Sequence, residues 1–364
     1  MTTDINSLWW YLLPVLVSFA LAVFFSRLVR RFARRHNIVD QPGPRKVHSS
    51  PTPLLGGAAI YMAWVLTLLV FWPYLFDGVI SAKHVIGLLI GGGILIVGGY
   101  FDDRYNLPPK YQVAFPVLAA ITIIISGIGI TFITNPLGGY IHFDQVKWLL
   151  FWWQGTPYYF TLFTDFFTLL WILGMVYVTK LLDGLDGLAT GVGVIGSIII
   201  FIVSLFWDVA QSGTSILSLA FGGAALGFLV WNWHPAKIFL GEGGSTLIGF
   251  VLGVLSIISG GKIATALLIM GIPILDVAWV IGRRLFFERK SIAAADAKHI
   301  HHRLLQSGFS HRGAVIFLYV ITALFGSIAI FSQTEGKIMA LVILSVFMVG
   351  LAVWLIKRHP VAGS

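Results

Sequence analysis

The sequence has no cysteine in 364 residues, which excludes disulfides, thiolate catalysis and cysteine-ligated metals. Charge is nearly as scarce: 11% of residues are Asp, Glu, Lys or Arg, against 57% hydrophobic, and mean hydropathy is +0.89. A soluble domain carries about a quarter charged residues, so this much apolar surface cannot be hidden in a water-facing globule. Also missing are a long polar stretch that would mark a second domain, an internal repeat, and the basic n-region of a signal peptide before the apolar run at Leu8. The centres of the apolar runs are almost free of ionisable residues, whereas a transport path usually leaves them deep within spans. No nucleic-acid partner is expected.

What is present is a series of continuous apolar runs. Each is near the ~20 residues with which an α-helix crosses a bilayer, unlike the short alternating segments of a barrel. Eleven stand out: 8–28, 54–76, 85–101, 111–133, 161–181, 188–207, 215–232, 245–259, 263–281, 313–332 and 338–356. The expected fold is an all-α, polytopic integral membrane protein with one membrane-embedded domain over 1–364. Its main polar connections are 29–53 and 282–312, and an aromatic one, 134–160, reads as a surface hairpin or interfacial helix.

With the N-terminus outside, these spans put 20 of 24 basic residues on one face and leave Lys83, Lys147, Lys262 and Lys337 on the other. By the positive-inside rule the basic face is cytoplasmic and carries the C-terminus, and 134–160 is extracytoplasmic. Nine of the 15 acids, Asp40 and Asp276 among them, and eight of the ten histidines fall on the basic face at span ends. Titratable groups gathered at one surface suit an enzyme that meets a water-soluble substrate there.

Five stretches carry the candidate chemistry. "FDDRYN" closes the third run with Asp102 and Asp103. Neighbours on a helix point about 100° apart, so both reach one cleft only near a fraying end. The pair is either a solvated terminus or a ligand set for Mg²⁺ shared with a diphosphate, with one acid as base or orienter. "LLDGLDGLATG" sets Asp183 and Asp186 at i, i+3 on one face, as helix caps or as a second acid pair. Gly241 to Ser245 leads into the eighth run with amides suited to an anion, and Glu242 adds a carboxylate. "DAKHIHHRLL" offers His299, His301 and His302 beside Arg303. Contact with a diphosphate or with anionic lipid fits it better than zinc, for which no second ligand set is at hand. "DQPGPRKVHSSP" is proline-stiffened and extended, and Lys46 and His48 give it charge to cover a phosphate site or touch lipid headgroups.

In this order, "RKVHSSPTPLLGG", "FDD", "DGLDGLATG", "NWHPAKIFLGEGGS" and "HIHHRLL" resemble the polyprenyl-phosphate N-acetylhexosamine-1-phosphate transferase family, and within it the N-acetylglucosamine branch. The resemblance runs from about Asp40 to Arg303. It implies an enzyme of the cytoplasmic (inner) membrane, dependent on Mg²⁺ or Mn²⁺. Such an enzyme moves a sugar 1-phosphate from a UDP-N-acetylhexosamine to undecaprenyl phosphate, releases UMP and starts a cell-envelope glycan. By the same resemblance Asp102, Asp103, His301 and His302 are catalytic. The resemblance also puts Asp183, Asp186 and His299 at the substrate and Glu242 and Asp103 at the metal, while the charge of the two anionic substrates adds Lys46, His48, Lys180 and Arg303 as expected substrate-binding residues. A homodimer is compatible with it.

Three positions depart from the family's pattern, one of them Tyr177, where a further Asn is common. Glu242 stands where an Asp is usual, and Lys180 where an Asn is usual. Lysine cannot bind Mg²⁺ but can neutralise a diphosphate oxygen, which is its expected role. The competing readings are a membrane transporter, an inactive scaffold of the same fold, and a CDP-alcohol phosphotransferase, whose motif needs an Arg that "DGLDGLA" lacks.

Overall fold

The computed structural model describes residues 5–43, 50–76, 80–135, 138–153, 156–206, 212–259, 263–284 and 299–358. Lys46 and His48 lie outside these residues. Each expected apolar run carries a helix. Among the described residues, eight helices are long and apolar enough to cross a membrane. They are α1 (Ile5–Arg35), α3 (Ala82–Tyr105), α6 (Leu162–Leu182), α7 (Leu188–Phe206), α8 (Ser212–Asn232), α9 (Gly241–Ile258), α13 (His311–Phe331) and α14 (Thr334–Arg358). Two runs hold shorter helices: α2 (Gly56–Val70), and α4 (Pro109–Gln112) continued by α5 (Ala114–Ile125). The remaining pair, α10 (Ile263–Ile269) and α11 (Gly271–Arg283), is bent by 77°. Pro273 explains the break, because it has no N–H for the Ile269 carbonyl one turn back and its ring crowds that carbonyl. A short helix, α12 (Ile300–Gln306), precedes α13.

The fourth run was expected to stay helical to 133, but α5 stops at Ile125. Ser126 caps it, Gly127 turns away with φ +87°, and Phe132–Thr134 becomes strand β3, paired with β4 (Tyr140–His142). A second antiparallel hairpin follows, β5 (Lys147–Trp153) with β6 (Thr156–Thr161), so the aromatic connection is built of hairpins and not of a helix. At the opposite end of the bundle a two-residue ladder sets β1 (Val39–Asp40) against β2 (Thr52–Pro53).

Helix α9 is the axis of the bundle. It packs on α2, α3, α6 and α7, and 89% of its apolar window is buried, against 28% for α1 and 22% for α14. Small residues permit this: α3 crosses α9 with Gly99 directly on the Gly243 backbone, where a Cβ has no room. The outer helices turn Leu16, Ile125, Phe331 and Val346 outward, exposed as lipid-facing residues are. Because the helices alternate in direction, one end of the bundle collects the C-termini of α1, α3, α6 and α8 and the N-termini of α2, α7, α9 and α13.

Candidate active site

At that end the helix termini surround a cleft of about 960 Å³. Among the described residues it is lined by six carboxylates (Asp40, Asp102, Asp103, Asp183, Asp186 and Glu242), three histidines, and no Lys or Arg.

The last turn of α3 delivers the first acid pair, and the polar groups around it hold the two acids differently. Asp102 Oδ1 accepts from the Leu107 amide at 3.0 Å and from Gln112 Nε2 at 2.9 Å. Asn106 makes the Leu107 contact reachable by ending α3 in the left-handed region. Asp103 Oδ1 accepts from the Glu242 amide at 3.1 Å, at the N-terminus of α9. Its Oδ2 is buried without a hydrogen bond of normal geometry, the Leu55 amide lying nearby. This oxygen presses on Gly241, which takes φ +73° and leaves no space for a Cβ. The sequence placed Glu242 ahead of the eighth helix; it lies inside that helix's first turn, and this brings its amide onto Asp103.

The second acid pair sits in the corner between α6 and α7. Asp183 is pushed up to about 7 by desolvation and then by the Glu242 and Asp186 carboxylates. Asp186 Oδ2 meets His234 Nδ1 at 2.6 Å and accepts from the Ala236 amide at 3.1 Å. His234 in turn stacks on His311, with ring centroids 3.8 Å apart, while Arg312 Nε donates to the His234 carbonyl at 2.9 Å. The corner is pinned by Asn232. Its Oδ1 accepts from the Gly187 amide (3.1 Å) and Thr190 Oγ1 (2.8 Å), and its Nδ2 donates to the Ile238 carbonyl (3.1 Å). Tyr319 holds the other side through its hydroxyl on the Gly187 carbonyl.

Lys180 stands behind Glu242. Its Nζ is 2.6 Å from Glu242 Oε1 and donates to Gln112 Oε1 at 3.0 Å. The structure thus commits to two protein groups an ammonium expected to face a phosphate.

The histidine segment divides. His302 lines the cleft. His301 is buried, with Nε2 against the backbone at Gly184, and desolvation followed by the neighbouring His302 and His299 lowers its pKa well below 6.5. His302 is lowered too, again chiefly by desolvation. His299 Nδ1 lies 2.8 Å from Asp276 Oδ2, and Asp276 Oδ1 accepts from the Ile300 amide at 3.0 Å, fastening α12 to α11. Arg303 is not on the cleft: it lines a separate apolar groove of about 250 Å³ between α11, α12 and α14.

Asp102, Asp103, Asp183, Asp186, Glu242 and His302 therefore share one cleft, with Lys180 and His301 directly behind it and His299 and Arg303 outside it. Residues that sequence reasoning did not single out join them: Asp40, Asn232, His234 and His311 in the lining and Gln112 behind it. A signal existed for four of these. Asp40 opens the quoted "DQPGPRKVHSSP", Asn232 and His234 belong to the quoted "NWHPAKIFLGEGGS", and His311 follows the Ser310 N-cap directly before an apolar run.

The residues fit a hard divalent cation. Mg²⁺ takes oxygen ligands and is held by one or two carboxylates together with phosphates. Here Asp103 offers an unpartnered buried oxygen, and Asp183 is crowded by like charges.

Residues 85–260 match the model of glycosyl transferase family 4. A probable undecaprenyl-phosphate N-acetylglucosaminyl 1-phosphate transferase of Bacillus subtilis (strain 168) is 33% identical over 344 residues, covering 92% of this chain and 88% of that protein. A decaprenyl-phosphate N-acetylglucosaminephosphotransferase of Mycolicibacterium smegmatis is 33% identical over 324 residues, covering 82% and 76%. An undecaprenyl-phosphate alpha-N-acetylglucosaminyl 1-phosphate transferase of Escherichia coli (strain K12) is 28% identical over 367 residues, covering 95% and 92%.

Proposed function

Because the chain belongs to the polyprenyl-phosphate N-acetylglucosamine-1-phosphate transferases of glycosyl transferase family 4, we propose that it transfers N-acetylglucosamine 1-phosphate from UDP-N-acetylglucosamine to undecaprenyl phosphate and releases UMP. The observation that carries the reading is the convergence of five carboxylates from the ends of α3, α6, α7 and α9 on one cleft. The cleft is at the upper end of the roughly 300–1,000 Å³ typical of ligand sites. It opens at a bundle end, where a lipid phosphate confined to the bilayer meets a soluble nucleotide. On this reading the bundle has eleven spans with the N-terminus outside, and the cleft faces the cytoplasm across the inner membrane.

In the reaction an oxygen of the lipid phosphate attacks the β-phosphorus of the nucleotide sugar. The bond from that phosphorus to the bridging oxygen breaks, and the electron pair leaves on UMP. Asp102, clamped by the Leu107 amide and Gln112, orients the attacking phosphate and takes its proton where it arrives protonated. Asp103, tied to the Glu242 amide, serves the metal and not as a nucleophile, so the displacement is direct on this reading. Asp103 and Asp183 are the groups that would hold Mg²⁺, with Mn²⁺ serving in the same role. The bound ion would draw off the charge that develops on the diphosphate. Asp186 and the flat His234–His311 pair take the nucleotide end, and His302 faces the same space.

The test is UMP release by purified protein with undecaprenyl phosphate, Mg²⁺ and a panel of UDP-sugars. Turnover with UDP-N-acetylglucosamine is expected. Turnover with none of the panel refutes the reading and leaves the scaffold or the transporter.

A further inference from the structure

The charge arrangement behind the cleft is a relay of four side chains from four helices. Glu242 Oε1 on α9 meets Lys180 Nζ on α6 at 2.6 Å; Lys180 donates to Gln112 Oε1 on α4 at 3.0 Å; and Gln112 Nε2 donates to Asp102 Oδ1 on α3 at 2.9 Å. Only one orientation of the Gln112 amide suits its neighbours. Its oxygen must face the cation, and its nitrogen must face both the Asp102 carboxylate and the Leu107 carbonyl, 2.9 Å away. Each bond polarises the next, so the lysine charge reaches Asp102 through the amide. Both ends of the relay line the cleft, whereas Lys180 and Gln112 do not.

We infer that Lys180 is a tethered cation of this site. It occupies the Glu242 carboxylate, which a divalent ion would otherwise bind, and it fixes the orientation of Asp102 through Gln112. This deepens the transferase reading and rests on it. Glu242 and Lys180 are only partly exposed, at 18% and 27%, so water screens the pair less than it would on an open surface. The consequences are specific. With Lys180 present, a divalent ion is held by Asp103 and Asp183, and Glu242 contributes little. With Lys180 removed, Glu242 is released next to those acids, and one repelling positive charge disappears. Lys180 is then a positioning residue that sets how much free metal the protein needs. It is not a contact to the diphosphate.

The test is the affinity of the purified, substrate-free protein for Mn²⁺, read by the free-ion EPR signal, which does not depend on turnover. Lys180→Gln is expected to bind Mn²⁺ at least about tenfold more tightly than wild type, since a like charge is removed and a ligand freed. Adding Glu242→Gln should cancel that gain. Lys180→Arg, which keeps the charge, should stay near wild type and shows that the fold accepts replacement there. In the activity assay, Lys180→Gln should reach half-maximal rate at lower Mg²⁺ with a reduced kcat, because Asp102 loses its support. Unchanged Mn²⁺ affinity in Lys180→Gln, with a raised KM for the nucleotide sugar, overturns the inference and makes Lys180 a substrate contact. Absence of turnover in wild type with every UDP-sugar would defeat the transferase reading while leaving the Mn²⁺ result to stand or fall separately.

Discussion

Replacing Gly241 by Ala tests how the acid pair of α3 is built. Two costs arise there and can be separated. Gly241 takes φ +73°, where an L-residue loses roughly 1–2 kcal/mol. The added methyl must also displace Asp103 Oδ2, on which it would sit. Asp103 cannot simply swing aside, because its Oδ1 is held by the Glu242 amide at 3.1 Å. Gly308 supplies the control: it takes φ +91° with nothing within 4 Å of a built Cβ, so Gly308→Ala carries the backbone cost alone. Both variants should lower the unfolding temperature by a few degrees, about 2–4 °C per kcal/mol at most. UMP release should divide them. A displacement of about 1 Å in a reacting group costs on the order of 10²-fold in rate, so Gly241→Ala should lose about two orders of magnitude in kcat while Gly308→Ala stays near wild type. Equal activity in the two variants would refute the claim that the Gly241 backbone positions Asp103.

Further outcomes follow from the same geometry. Asn232 is 2% exposed and makes three hydrogen bonds across the corner; Asn232→Ala should cost roughly 2–4 kcal/mol, read as a lower unfolding temperature with a larger fall in turnover. His301 and His302 have folded-state pKa values below the ordinary 6.5. As pH falls through about 6.5 the unfolded chain therefore binds protons that the folded chain refuses. Stability from these two histidines is complete above that pH and declines below it, while Asp183, raised to about 7, acts in the opposite sense over the same interval; the unfolding temperature of His301→Gln in detergent, taken relative to wild type, should therefore rise as pH is lowered from 7.5 to 5.5. Asp186→Asn leaves His234 without its anionic partner and should raise KM for the nucleotide sugar more than it lowers kcat, measured from initial UMP-release rates.

The apolar runs were legible because a bilayer demands them: each continuous stretch carries a helix, and the acids at the run ends met at one end of the bundle. What was not legible depended on backbone detail or on distant partners. The bend at Met270 is written in Pro273, yet hydropathy alone reads through it. The fourth run was overextended past Ile125 because Ile128, Ile130, Phe132 and Ile133 are as apolar as a span while being strand formers. Along α12 successive side chains point about 100° apart, so His301 turns inward, His302 toward the cleft and Arg303 toward another groove, although a string of letters places them together. Lys180 looked like a phosphate ligand because its partners Glu242 and Gln112 are far off in sequence. No local pattern announces an ion pair between two helices.

The lining of the cleft poses an electrostatic problem for the proposed reaction. Six carboxylates face a space that must accept two anionic substrates, and no described Lys or Arg lines it. Desolvation, and then the Glu242 and Asp186 carboxylates, hold Asp183 near 7, so each arriving substrate adds to a repulsion already present among the described residues. A divalent ion held by Asp103 and Asp183, as proposed above, would offset part of that charge. The Lys180 ammonium cannot depart. Between turnovers it still neutralises Glu242 and, through Gln112, still aims Asp102. On this inference the acceptor end of the cleft keeps its orientation whether or not the nucleotide end is filled.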